Sequence, residues 1–315
     1  MGSVCGAGAK APEPGQNDAL VFVKPHAVNA QVVSMVRAFL SEHGVSVVAS
    51  GELSGPQIDK QGIIDAHYAH IAKVAMTLSA SALSVSADKK GEFASKFGKG
   101  SWDELAGSGQ ILNLREYAAK TGKGFKEIED LWRATSAFKL APGTYVAWMA
   151  DGDVFVLNAF YGMMRSIYTV PDAKVVFMTV RWSESKLSWG DFRGKVIGAT
   201  DPSKAAEGSL RYKIMREWKQ LGLASEPNTG SNGVHASAGP VEGLRERMVW
   251  LGAKLEADPF GKAALAAGVK RTLLDSWLNN DRVAVGDKEG NAFDLLEDLN
   301  SSEVVRIALE AGSKL

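Results

Sequence analysis

The sequence predicts an α+β protein, an antiparallel sheet covered by helices, with a long helical insertion between the two halves of the sheet. Three observations lead there. Residues 19–49 read as strand, helix, strand; a strong apolar strand returns at 174–182 and is followed by a helix around 191–197; and between them 72–141 breaks into short helical pieces. The pattern implies one β-α-β passage before the insertion and a second after it.

The elements follow from local patterning. Ala19, Leu20, Val21, Phe22 and Val23 form an apolar, β-branched run that Pro25 closes, with Lys24 at its C-terminal end. Asn29 can cap a helix whose Val32, Val33, Val36, Phe39 and Leu40 share a face, and Gly44 stops it. The stretch 45–49 reads as the next strand, and 56–71 as a helix carrying His67, Tyr68 and His70. Within 72–141, pairs such as Phe93 with Phe97 and Leu131 with Trp132 sit between glycine-rich breaks. The runs 144–148 and 154–157 flank Asp151-Gly152, a hairpin signal. A short helix at 160–166, the strand at 174–182, a polar glycine-rich stretch at 198–233, and a helix from Pro240 to about Leu251 follow. Beyond Gly252 the spacing of Leu265, Val269, Leu273, Leu274 and Trp277, and then a last helix near 304–309, predict a helical extension over 253–315. Residues 1–18 read as a flexible leader.

Composition narrows the function. Of 315 residues 45% are hydrophobic, enough for a sizeable core, and Lys plus Arg equals Asp plus Glu at 36 each. No overall field therefore attracts nucleic acid, and no nucleic-acid partner is expected. Cys5 is the single cysteine, which excludes an intramolecular disulfide and a thiolate zinc cluster and points to a reducing, cytoplasmic setting. There is no apolar run of about 20 residues. Gly2 and Cys5 resemble a start for double acylation, although Gly6 stands where that motif carries Ser or Thr, so membrane association through the N-terminus is an open reading. His67 and His70, with Asp65, lack a further ligand pair and read as surface residues; no metal ligands are assigned.

The polar chemistry concentrates in 198–250. His235 is a candidate nucleophile: a neutral imidazole can attack phosphorus if a neighbour fixes its tautomer and supports the charge that develops. Ser237 and Glu246 are candidates for that neighbour, Lys24 and Arg211 for neutralising phosphate oxygens, and Thr200 for a hydroxyl hydrogen bond to them. No G-x-x-x-x-G-K-[ST] or strand-borne G-x-G-x-x-G is present, which removes the P-loop and Rossmann readings.

The string Asn232-Gly233-Val234-His235-Ala236-Ser237, followed by a helix bearing Glu246 and Trp250, resembles the nucleoside diphosphate kinase signature Asn-x-x-His-Gly-Ser-Asp. Gly198-Ala199-Thr200-Asp201-Pro202 and Gly208-Ser209-Leu210-Arg211 are similar to that family's Gly-x-Thr-Asn-Pro and Gly-Thr-Ile-Arg, and Lys24-Pro25 to its Lys-Pro-Asp. The resemblance covers roughly 19–71 and 158–252. It implies a ferredoxin-like core in a domain spanning 19–252, and a kinase that moves the γ-phosphate of a nucleoside triphosphate to a nucleoside diphosphate through a phosphohistidine on His235. It further implies that Ser237 and Glu246 orient the imidazole, that Lys24, Thr200, Arg211 and Asn232 bind nucleotide, that Phe160 stacks on the base and Tyr68 lies near the phosphate. Magnesium would arrive with the nucleotide, and the chain would form a homo-oligomer.

The sequence also departs from the family. Gly194 stands where the family has another phosphate-binding arginine, His26 and Ala27 follow the Lys-Pro, and Ala236 and Ala238 flank Ser237. Gly194 and the long insertions favour the alternative reading, a catalytically weak nucleotide-binding or structural protein of the cilium or flagellum, with an axonemal partner.

Overall fold

A computed structural model describes residues 15–312, so Gly2 and Cys5 lie outside the described residues. The described residues divide into two compact units: those up to Leu53 together with those from Lys174 onward, and Ser54–Ala173.

In the first unit, strand β1 (Gln16–Val23) leads through helix α1 (Ala30–Glu42) to β2 (Ser46–Ser54). After the second unit the chain resumes as β3 (Lys174–Ser183), a helical segment that opens with α2 (Trp189–Asp191) and widens into a π-turn (Phe192–Ile197), then α3 (Leu210–Arg216), β4 (Val234–Ala236) and α4 (Pro240–Leu251). The sheet order is β2-β3-β1-β4, and β1 runs antiparallel to both its neighbours, pairing Phe22 with Phe177 on one side and with His235 on the other. Two β-α-β passages interleaved in this order make the ferredoxin-like fold.

The central strand is buried on both faces, which is why β1 reads as a continuous apolar run rather than an alternation. Ala19, Val21 and Val23 pack under α1, whose Val32, Val36, Phe39 and Leu40 are buried against Met178 and Val180 of β3. Asn29 caps α1 by accepting the Val32 N–H at 2.9 Å, and Gly44 ends it in the left-handed region at φ 72°. Leu40 is fully buried, and truncating such a side chain to Ala costs about 2–5 kcal/mol. On the opposite face Phe22 stacks on His235 at 4.5 Å and meets Trp250 of α4 at 4.6 Å.

The C-terminal segment packs on α4. Helices α5 (Pro259–Ala266), α6 (Arg271–Leu278), α7 (Ala292–Leu296) and α8 (Ser301–Gly312), with a hairpin of β5 (Arg282–Val285) and β6 (Lys288–Asn291), share a core with Val241 and Leu244. Arg247 clamps this joint. Its guanidinium donates to both oxygens of Asp258 at 2.6 and 2.9 Å and to the Asp18 carbonyl at 2.6 Å, all buried. The residue spacing over 253–315 predicts only helices, so the hairpin is an addition.

The second unit is built around a four-stranded sheet in the order Ile111–Asn113, Val154–Leu157, Thr144–Met149, Phe138–Ala141. The hairpin expected between 144–148 and 154–157 forms as an antiparallel pair. The insertion expected at 72–141 is mainly helical and also contributes the two outer strands of that sheet. The single helix expected over 56–71 is broken into Gly55–Lys60, Ile63–His67 and Ala69–Met76, because Gly62 adopts φ 62° and Tyr68 leaves helical geometry. His70 hydrogen-bonds Thr144 at 3.1 Å, and Asp65 is taken by Tyr161 and Arg165. Among the described residues, no helix is long and apolar enough to cross a membrane.

Candidate active site

The site forms where β4 joins the sheet beside β1. Gly233 adopts φ 85°, a conformation that side chains disfavour, and turns the chain into β4 so that His235 pairs with Phe22. Two residues on, Ser237 is also bonded to β1: its backbone N–H donates to the Leu20 carbonyl at 3.0 Å, and its hydroxyl oxygen accepts the Leu20 N–H at 2.9 Å. The indole N–H of Trp189 donates to the Ser237 carbonyl at 3.2 Å. Pro240 then starts α4, and the helix brings Glu246 back over both residues.

Glu246 joins the three side chains into one chain of hydrogen bonds. Its Oε1 lies 2.6 Å from His235 Nε2, and its Oε2 accepts the Ser237 hydroxyl at 2.6 Å. Glu246 is 3% exposed and Ser237 fully buried, so both bonds operate at low local dielectric. Burial foremost, and then the charges of Lys24, Arg211 and Arg193, hold the His235 pKa well below the usual histidine value. The imidazole is therefore neutral at pH 7. With a carboxylate at Nε2, that nitrogen carries the proton and donates it, and the lone pair resides on Nδ1.

Cations stand beside this chain. Lys24, at the end of β1, is anchored by its backbone N–H to the Gly233 carbonyl at 2.9 Å. Burial and then the Arg211 charge push its pKa down to about 8. Arg211, near the start of α3, donates from Nη1 to the Gly198 carbonyl at 2.7 Å and from Nε and Nη2 to the Val234 carbonyl at 3.3 and 3.0 Å. Much of its donor fork thus braces the loop that precedes His235, and burial lowers its pKa to about 10. Asn232 is 1% exposed; its amide donates to the Thr200 carbonyl at 2.9 Å, while its Oδ1 is buried without a hydrogen-bond partner. An orphaned buried acceptor of this kind costs free energy unless a donor reaches it. Thr200 is exposed and engages Asn232 through its backbone. His26 accepts the Gly233 N–H at 3.1 Å, which gives this substituted position a bracing part in the same loop.

The first unit therefore brings together His235, Ser237, Glu246, Lys24, Arg211, Asn232 and Thr200. Tyr68 and Phe160 belong to the second unit. Tyr68 separates two of its short helices and meets His67 edge-on at 4.6 Å, whereas Phe160 precedes the helix Tyr161–Thr169 and contacts the rings of Trp132 and Tyr145 at 6.2 and 5.9 Å.

Gly194 lies in the π-turn with open space around a Cβ. Lys195 is paired with Asp191 at 2.9 Å, and Arg193 with Glu297 and Asp298 at 3.1 and 2.8 Å. One residue escaped sequence reasoning. Glu242, one helical turn before Glu246, accepts the Ala238 N–H at 3.1 Å, and burial followed by the Glu246 charge pushes its pKa up to about 8. The i, i+4 spacing of two glutamates on the helix after His235 is the signal that could have found it.

No family model matches the sequence, and no curated protein does. Solved structures similar to this chain include the nucleoside diphosphate kinase of Encephalitozoon cuniculi, 16% identical, with a TM-score of 0.37 over 77% of this chain and 92% of that one. The nucleoside diphosphate kinase of Borrelia burgdorferi, described as a transition-state mimic with bound vanadate and ADP, is 16% identical with a TM-score of 0.35, covering 75% of this chain and 87% of its own. The Aquifex aeolicus enzyme is 14% identical with a TM-score of 0.35, covering 78% of this chain and its own entire length.

Proposed function

We propose that the protein is a nucleoside diphosphate kinase that works through a phosphohistidine on His235. The observation that carries this reading is the buried chain Ser237–Glu246–His235, which fixes a neutral imidazole with its lone pair on Nδ1, beside Lys24 and Arg211. The motif resemblance around His235 supports the same assignment.

In the proposed reaction the Nδ1 lone pair attacks the γ-phosphorus of a magnesium-bound nucleoside triphosphate. The bond from that phosphorus to the bridging oxygen breaks, and its electron pair leaves with the nucleoside diphosphate. Positive charge develops on the imidazole and is met by Glu246, whose second oxygen is held by Ser237. Lys24 and Arg211 would offset charge on the transferred group, since phosphoryl transfer depends chiefly on positioning and charge stabilisation. A second nucleoside diphosphate then attacks the phosphohistidine, and the phosphorus–nitrogen bond electrons return to Nδ1. Magnesium is part of the substrate in this scheme. Asn232 Oδ1 is a buried acceptor suited to a ribose hydroxyl donor. The parts of Tyr68 and Phe160 rest on the resemblance alone.

The reading is tested by incubating the protein with γ-labelled ATP and magnesium at neutral pH, measuring acid-labile, base-stable label, and chasing with a nucleoside diphosphate. Wild type should take label and release it in the chase, and His235→Ala should take none. Equal label on both proteins would refute the proposal.

A further inference from the structure

We propose that Trp189 and Asn300 are positioning residues for the chemistry at His235, and that the connection between α7 and α8 is a strap that fixes the loop 237–239 and, through it, the hydrogen-bonded chain of Ser237, Glu246 and His235. The inference rests on the phosphohistidine reading and gives the C-terminal segment a part in it.

The loop between β4 and α4 has few means of anchoring itself. Ala238 and Gly239 carry no hydrogen-bonding side chain and Pro240 has no N–H, so this stretch is held chiefly through its backbone. The Ser237 carbonyl accepts the indole N–H of Trp189 at 3.2 Å, and both residues are fully buried. The next carbonyl, that of Ala238, accepts the Asp298 N–H at 2.9 Å. Two successive peptide planes are thereby fixed from outside the strand pair, and with them the start of the helix that carries Glu246. Gly239 lets the strap lie against this loop: a Cβ there would meet the Leu296 carbonyl oxygen at 2.8 Å and the Glu297 Cα at 3.2 Å.

Asn300 ties the indole to the same strap. Its Oδ1 accepts the Trp189 backbone N–H at 2.9 Å and the side-chain amide of Asn17 at 2.9 Å. Asn17, fully buried on β1, accepts in turn the Ser301 N–H at 2.9 Å and the Ser301 hydroxyl at 3.0 Å. The Asn300 N–H donates to Glu303 at 2.8 Å, so the first turn of α8 is locked to the central strand. Arg193, in the π-turn that continues α2, adds ion pairs to Glu297 and Asp298 at 3.1 and 2.8 Å. A path of hydrogen bonds therefore runs from Asn300 through Trp189, Ser237 and Glu246 to His235. A carboxylate that is to meet charge on the imidazole must be held in register with it, because small errors of position are expensive in rate. The strap lies outside both β-α-β passages, and the groups it holds are those that set this register.

The test uses the full chain as wild type, Asn300→Leu, Asn300→Asp and Trp189→Phe, well below the melting temperature of each. Leu is close to Asn in size but accepts nothing, and Phe lacks the indole N–H. At saturating ATP and magnesium, N300L and W189F should incorporate acid-labile label roughly tenfold more slowly, the loss of one well-placed hydrogen bond. Their ADP affinity by calorimetry should stay within about twofold of wild type, because Lys24, Arg211 and Asn232 keep their places. N300D keeps an acceptor for both donors and should recover most of the rate. With 15N-labelled histidine, the Nε2 proton of His235 in the nucleotide-free protein should shift upfield in N300L and W189F as its bond to Glu246 loosens. A residue that only added stability would lower the melting temperature and leave that signal alone. A wild-type labelling rate in whichever of N300L and W189F folds, or a loss seen only as weaker ADP binding, overturns the proposal. A wild type that takes no label refutes the phosphohistidine reading instead, and the strap is then judged by the His235 signal alone: if that signal is unchanged in the variants, the strap is refuted as well.

Discussion

Replacing Glu246 with Gln tests the part of the site that a fold without chemistry would not need. Gln matches Glu in size and keeps one carbonyl oxygen, so the amide can still accept from His235 Nε2 while its NH2 points at the Ser237 hydroxyl. That hydroxyl can turn its proton to the Leu20 carbonyl, 3.2 Å away. Stability should therefore change by less than about 1 kcal/mol. The imidazolium that forms on phosphorylation loses its anionic partner. A hydrogen bond to a charged group contributes about 1.5–3 kcal/mol against about 0.5–1.5 for a neutral one, so the barrier should rise by roughly 1–2 kcal/mol. At about 1.36 kcal/mol per decade, this slows phosphorylation roughly 5- to 30-fold. The assay is the single-turnover rate of acid-labile label incorporation from γ-labelled ATP, with the thermal melt as control. A wild-type rate in a folded Glu246→Gln protein would refute the role given to this carboxylate.

Lys24, with its pKa pushed down to about 8, should set the alkaline limb of kcat/KM near that pH, and Lys24→Arg should move the limb upward; a limb unchanged by the substitution would exclude Lys24 as its source. For the fold the sign is different. Burying this cation lowers stability below pH 8, and the cost fades as pH rises from about 8 towards the unfolded lysine value of about 10.4. Ser237→Ala removes the acceptor of the buried Leu20 N–H and the donor to Glu246 Oε2, and should cost about 1–3 kcal/mol in urea denaturation; a change under 0.5 kcal/mol would show that those groups find other partners. Gly194→Ala should raise stability by about 0.4–1 kcal/mol, because the added methyl meets open space and restricts the unfolded chain; a lower melting temperature would mean that the π-turn requires glycine.

Much of the core was legible because its signals are local. Pro25 marks the end of β1, Asn29 and Gly44 bound α1, and Pro240 and Gly252 bound α4, each through backbone chemistry that operates within a few residues. What the sequence does not disclose is pairing over distance. Placing His235 opposite Phe22 depends on a three-residue strand, too short for any periodicity to announce. The outer strands at Ile111–Asn113 and Phe138–Ala141 are hidden for the same reason among helical neighbours. The break at Tyr68 has no glycine or proline to signal it. At the site, residue types named His235, Ser237 and Glu246, but only the fold could show that Glu246 touches both others. The tether of Arg193 to Glu297 and Asp298 likewise joins segments about 100 residues apart.

The central claim reduces to one atom. The protein should be prepared with its histidine ring nitrogens labelled with 15N, phosphorylated with ATP and magnesium, and observed at alkaline pH for one-bond phosphorus–nitrogen coupling. Because Nε2 faces Glu246 at 2.6 Å, coupling is predicted to Nδ1 of His235 and to no other ring nitrogen. Coupling to Nε2, or phosphorus found only on another residue, would contradict the account.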